Sequence, residues 1–198
     1  MNRQITPRPQ PITPHQQPIL SENQQLIRPV SRFVSPQAIE LLRLVRHRAL
    51  PVLRGLENLA IRTGEAAEPC YLFDFLPGTS LDRLTDEELA DWQPEERIAY
   101  LAELAEIIDF LHHQGEYGLM HLDIKPANLL LDPDKRPALI DFDTLQCVQP
   151  SVGDRTVDEP ADQSGITCTP GYAAPEILLG HPVPASDLYA LGLCLLWL

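Results

Sequence analysis

An α+β fold is predicted for this 198-residue chain by three features of its sequence. A long helical pattern runs from about Pro94 to His113, with Ile98, Leu101, Leu104, Ile108 and Leu111 recurring along one stripe. Two runs rich in branched and aromatic residues, 52–62 and 70–76, read as strands. Two shorter apolar runs, 128–131 and 138–140, flank Asp132-Pro133-Asp134 and read as a hairpin. The length suffices for one domain with a real core, and the apolar content is ordinary for a globular chain.

Taken in order, the chain opens with seven prolines in residues 1–36, many of them spaced by glutamine. Proline removes backbone donors and disfavours helix in the residue before it, so residues 1–25 read as a disordered or extended tail. Ser35-Pro36 has the form of a helix start, with serine as N-cap and proline at the first helical position. Ile39, Leu42 and Val45 follow at helical spacing, and Glu40 lies on the same helix. The two strands are joined by a turn at Thr63-Gly64-Glu65, and the second stops at Pro77-Gly78. Thr85-Asp86-Glu87-Glu88 is a capping box for a short helix. On the long helix Glu95, Glu96, Glu103 and Glu106 are expected opposite the apolar stripe, and Gly115 is its stop signal. Residues 143–170 are polar and read as a long surface loop. The apolar run Leu188–Leu198 is too short to span a bilayer and reads as a buried helix interrupted mid-run.

Charge narrows the function. The net charge is −13: residues 1–36 hold four Arg and one Glu, while the remainder holds 11 basic and 27 acidic residues. An acidic surface argues against nucleic acid or an anionic membrane as the main partner. The N-terminus has no apolar stretch of the signal-peptide kind. Cys70, Cys147, Cys168 and Cys194 form no C-x-x-C pair, so reduced cysteines in a cytoplasmic protein are expected.

The chemistry is concentrated in His121-Leu122-Asp123-Ile124-Lys125-Pro126-Ala127-Asn128, with Asp141 thirteen residues further on in Leu139-Ile140-Asp141-Phe142-Asp143. Phosphoryl transfer needs a carboxylate to orient a hydroxyl and take its proton. It needs hard oxygen ligands for a metal, and a cation beside the moving phosphoryl group. Asp123 suits the first role, Asn128 and Asp141 the second, and Lys125 the third.

These residues resemble the catalytic loop and metal-binding motif of the protein kinase family, in the Lys-Pro form of its serine/threonine branch. Thr169-Pro170-Gly171-Tyr172-Ala173-Ala174-Pro175-Glu176 is similar to the end of that family's activation segment. Ser186–Gly192 resembles the start of the buried helix after it, where Asp187 would hold the catalytic-loop backbone. The resemblance covers about residues 36–198. It implies a bilobal fold, with a partial small lobe over 26–76 and a partial, mainly helical large lobe over 77–198. It also implies ATP and Mg²⁺ as cofactors and a protein Ser or Thr as substrate. Phe73 would back the nucleotide pocket. Asp74 and Leu76 at the hinge, Leu130, Lys125 and Glu40 would surround the nucleotide.

Three departures stand against the pattern. The only lysines are Lys125 and Lys135, so none precedes Glu40, and the first glycine is Gly55, so no glycine loop lies upstream. Arg28 and Arg32 are the candidate substitutes, although a guanidinium fork copies an ammonium poorly. The strands that cover ATP are expected to be missing and the large lobe to be cut short. Leu122 replaces the arginine usual beside the catalytic aspartate, and Asp143 replaces glycine. An inactive, interaction-only kinase fold and a small-molecule phosphotransferase of the aminoglycoside type stay open beside the protein kinase. Lys125-Pro126 and the 169–176 segment favour a protein substrate.

Overall fold

The computed structural model describes residues 19–20, 25–31, 33–60, 66–148 and 168–198. Arg32, the turn at 63–65, most of the tail and most of the 143–170 loop lie outside these.

Four strands, β1 (Ile19–Leu20), β2 (Gln25–Pro29), β3 (Leu53–Leu59) and β4 (Glu68–Asp74), form an antiparallel sheet in the order β1-β2-β4-β3. The first two were not expected. Ile19–Leu20 fall within the segment read as tail, yet they pair with Leu26 and Ile27. No proline interrupts the chain between Pro18 and Pro29, so its N–H groups are free for a ladder. In β2, Arg28 stands opposite Tyr71 and Leu26 opposite Phe73. Strand β4 ends two residues earlier than expected, leaving Phe75 and Leu76 beyond it.

Helix α1 (Pro36–Leu42) starts as its cap requires: Ser35 Oγ accepts from the Ala38 amide at 3.0 Å. It buries Ala38, Ile39 and Leu42. After β5 (Thr79–Ser80), helix α2 (Asp86–Ala90) opens on the full Thr85/Glu88 capping box. Helix α3 (Pro94–His112) buries Tyr100, Leu101, Leu104, Ile107, Ile108 and Leu111. Ile98, expected on that stripe, is 62 % exposed. At 3.6 residues per turn it lies about 120° from the centre of the buried face, which Tyr100 and Ile107 complete instead.

The remaining strands are short: β6 (Leu119–Met120), β7 (Leu129–Leu131), β8 (Pro137–Leu139) and β9 (Gln146–Cys147). β7 and β8 make the expected hairpin, with β5 on its other edge, and β6 pairs with β9. Helices α4 (Pro175–Leu178) and α5 (Pro184–Trp197) complete the order. Helix α3 packs on α5 and β8, and one core runs from Leu42 and Phe73 through Leu104 and Leu139 to Cys194. The first sheet is thereby seated on the helical part. Leu188, Tyr189, Leu195 and Leu196 of α5 are exposed. All four cysteines are free thiols. Among the described residues, no helix is long and apolar enough to cross a membrane.

Candidate active site

The turn between β6 and β7 carries the chemistry, and its shape is fixed from below. The Asp187 carboxylate, buried at the start of α5, accepts from the His121 amide at 2.9 Å and the Leu122 amide at 2.7 Å. Its Oδ2 also faces His112 Nε2 at 2.8 Å. These bonds hold Leu122 at φ 64°, a conformation that costs an L-residue about 1–2 kcal/mol. His121 is fully buried: its Nε2 donates to the Ile140 carbonyl (3.1 Å), and its Nδ1 accepts from the Asp123 amide (3.3 Å). Phe142 sits between the His121 and Phe73 rings, centroids 5.4 and 6.1 Å away.

Above that support the polar groups converge on Asp123. Lys125 Nζ lies 2.6 Å from Asp123 Oδ2, and Asn128 Nδ2 donates to the same oxygen at 3.1 Å and to the Asp123 carbonyl at 2.8 Å. Thr169 Oγ1 donates to Asp123 Oδ1 at 2.6 Å and accepts from Lys125 Nζ at 2.9 Å. Thr169 was singled out only as the first residue of the 169–176 segment and not as a site residue, because its partner Asp123 lies forty-six positions away. His112 was missed for the same reason.

Asp141 follows Ile140, whose amide donates to the Asn128 carbonyl at 3.0 Å, and is itself in the left-handed region at φ 73°. Its Oδ2 is 2.6 Å from Arg28 Nη2, while its Oδ1 is buried with no partner, as is Arg28 Nε. Asp143 lies against Asp141. Burial, and then the charge of Asp141, push its carboxyl up to about 7, against the opposing pull of Arg28. Among the described residues no three His, Cys, Asp or Glu side chains group to hold a metal. The oxygen donors available are the Asn128 amide and the orphan Asp141 carboxylate oxygen. That set fits Mg²⁺, which takes hard oxygens and uses one or two protein ligands with phosphates and water for the rest.

A model of the protein kinase domain matches residues 35–198. The chain belongs to the protein kinase family. It is 34 % identical over 166 residues to U-box domain-containing protein 33 of Arabidopsis thaliana, covering 81 % of this chain and 18 % of that protein. It is 33 % identical over 135 residues to a probable L-type lectin-domain containing receptor kinase V.3 of the same plant, covering 65 % and 19 %. With the LRR receptor-like serine/threonine-protein kinase FEI 2, also from Arabidopsis thaliana, it shares 30 % over 162 residues, covering 80 % and 25 %. The chain thus spans a quarter or less of the length of these relatives.

Within the kinase fold the departures take physical form. Leu122 is buried against Met120, Ala174 and Ile177, so an apolar contact joins the catalytic loop to the end of the activation segment. Asp143 needs no positive φ; the strained residue is Asp141. Glu176 of the closing motif accepts from Ser186 Oγ at 2.6 Å, which holds its carboxyl below its usual range.

The kinase's expected nucleotide residues are not all brought together. Leu130 is buried on β7, and its carbonyl accepts from Tyr100. Asp74 is gripped by both arms of Arg54 at 2.7 and 2.6 Å, and its amide donates to the Val52 carbonyl. Leu76, half-buried, lines a shallow pocket with Arg48, Arg136 and Ala138. Glu40 does not join Arg28. It is exposed, with Arg43 at 3.9 Å, because α1 buries its Ala38–Ile39–Leu42 face and turns Glu40 outward.

Proposed function

We propose that this chain is a serine/threonine protein kinase domain, transferring the γ-phosphate of ATP to a protein Ser or Thr hydroxyl with Mg²⁺. One observation carries the reading: the Asp123 carboxylate accepts a hydroxyl at 2.6 Å while Lys125 and Asn128 fix its other oxygen. An acceptor hydroxyl in the place of the Thr169 hydroxyl would donate to Asp123 Oδ1 and pass its proton there as its oxygen attacks. Lys125 is positioned to offset negative charge next to that oxygen. Asn128 and Asp141 would hold the metal. When bound, ATP and Mg²⁺ supply the phosphoryl group and the charge neutralisation around it. The free thiols fit a reducing, cytoplasmic setting.

The reading is tested by thermal unfolding of the chain with millimolar ATP, with and without Mg²⁺. Binding to the folded state raises the midpoint by mass action. An unchanged midpoint would favour an interaction-only kinase fold. That second reading is favoured by one pair of observations: Glu40 is exposed, and Arg28 lies on the Asp141 carboxylate.

A further inference from the structure

Arg28 and Arg54 grip aspartates in different ways. Arg54 places Nε and Nη2 on the two oxygens of Asp74, at 2.7 and 2.6 Å. Arg28 brings only Nη2 to Asp141 Oδ2, at 2.6 Å, and Arg28 Nε and Asp141 Oδ1 are left buried without a partner. The two-point fork is the strong form of this pair, and a buried donor or acceptor left unpaired carries its desolvation cost in full. The Arg28–Asp141 contact is therefore half-made, and a partner that satisfies both Asp141 oxygens can take its place.

No other acid claims the guanidinium. Among the described residues Arg28 forms an ion pair with Asp141 alone, because α1 turns Ala38, Ile39 and Leu42 inward and Glu40 outward. The Arg28 backbone is fixed in β2 opposite Tyr71, so only its side chain is free to leave. The two side chains are 22 % and 19 % exposed, largely closed off from water. A divalent cation on either Asp141 oxygen would stand a few ångströms from the guanidinium. Like charges that close, in a setting of low dielectric, exclude each other. The carboxylate carries one or the other.

We propose that Arg28 is an autoinhibitory counter-ion: it occupies the Asp141 carboxylate, and a divalent cation gains that carboxylate only by displacing it. The inference rests on Asp141 being a metal ligand, as in the reading above. Opening of the site is then a side-chain rotation set by the concentration of the cation.

The test is equilibrium binding of Mn²⁺, without nucleotide, followed by electron paramagnetic resonance. It uses the full chain, Arg28→Gln, the double variant Arg28→Gln/Asp141→Asn, and Arg43→Gln as a control that removes the same charge from the surface. Circular dichroism reports folding of each. Arg28→Gln is expected to bind Mn²⁺ about tenfold or more tighter than the unaltered chain, the order of one charge-assisted bond. The double variant is expected to lose that gain, and Arg43→Gln to show none. Equal or weaker binding by Arg28→Gln, with binding still dependent on Asp141, overturns the inhibitory role and leaves Asp141 as a metal ligand. A gain that survives in the double variant, or that Arg43→Gln matches, also overturns it. Absence of Mn²⁺ binding in both the unaltered chain and Arg28→Gln removes the metal assignment and the inference together. Should the glutamine variant not fold, phenylglyoxal labelling of the unaltered chain decides: Mn²⁺ must increase labelling of Arg28, mapped by mass spectrometry, as the guanidinium is released. Unchanged or reduced labelling sinks the proposal.

Discussion

Around Asp123 every polar contact has an answer inside the protein, whereas around Arg28 two buried atoms are left without one. The difference is one of completeness. The catalytic loop is pinned from outside its own sequence by Asp187 and Thr169, and every one of those contacts is paired. The Arg28–Asp141 contact is made by a strand far away in sequence, and it keeps open valences. Internal pairing marks where the geometry is ready in advance, and the Arg28–Asp141 contact lacks it.

The largest expected effect tests the closed side. Asp123→Ala should lower transfer of labelled γ-phosphate about 10³-fold, the order of a general base, in a variant shown by circular dichroism to keep its fold. Transfer that survives the change would remove Asp123 from its role. Next comes the support beneath it. Asp187→Ala strands the His121 and Leu122 amides and should destabilise the fold by about 3 kcal/mol in urea unfolding, since each unpaired buried donor costs about 1–3 kcal/mol. A small change there would mean that the loop holds its own shape. Thr85→Ala, far from either region, should cost about 1 kcal/mol through the lost cap. The Thr85 amide and hydroxyl keep the Glu88 carboxyl below its ordinary value. Its stabilising contribution is therefore present above the unfolded carboxylate pKa and fades as the pH falls through the lowered one, visible in the acid limb of a melting series. Smallest of all, Glu40→Ala should move stability by no more than about 0.5 kcal/mol and leave nucleotide affinity unaltered. A loss of tenfold or more would show that α1 turns inward when ligand binds.

The elements legible in the sequence were those with local signals: the serine and threonine caps, the long apolar stripe, the Asp132-Pro133-Asp134 hairpin and the motif from His121 to Asp141. Their physics is contained within a few turns of chain. What escaped depended on distance. Strands β1 and β2 are too short and proline-bordered to show a period-two pattern, and only the ladder with β4 gives them shape. Thr169 and His112 take their roles from partners dozens of residues away. Ile98 sat in an apolar series with a plausible period, and the actual packing face is rotated away from it. Leu122 was legible as a departure but not as a contact: only the folded chain shows it sealed against Ala174 and Ile177.

Asp187 also bears on the order of assembly. Its three partners lie 65 to 75 positions earlier in the chain, on the end of a helix and in the loop after it. Closing so long a span is entropically slow, so the catalytic turn should acquire its final form late in folding, when α5 docks. In hydrogen exchange the His121 and Leu122 amides should then open only with the whole molecule, making them reporters of global rather than local stability.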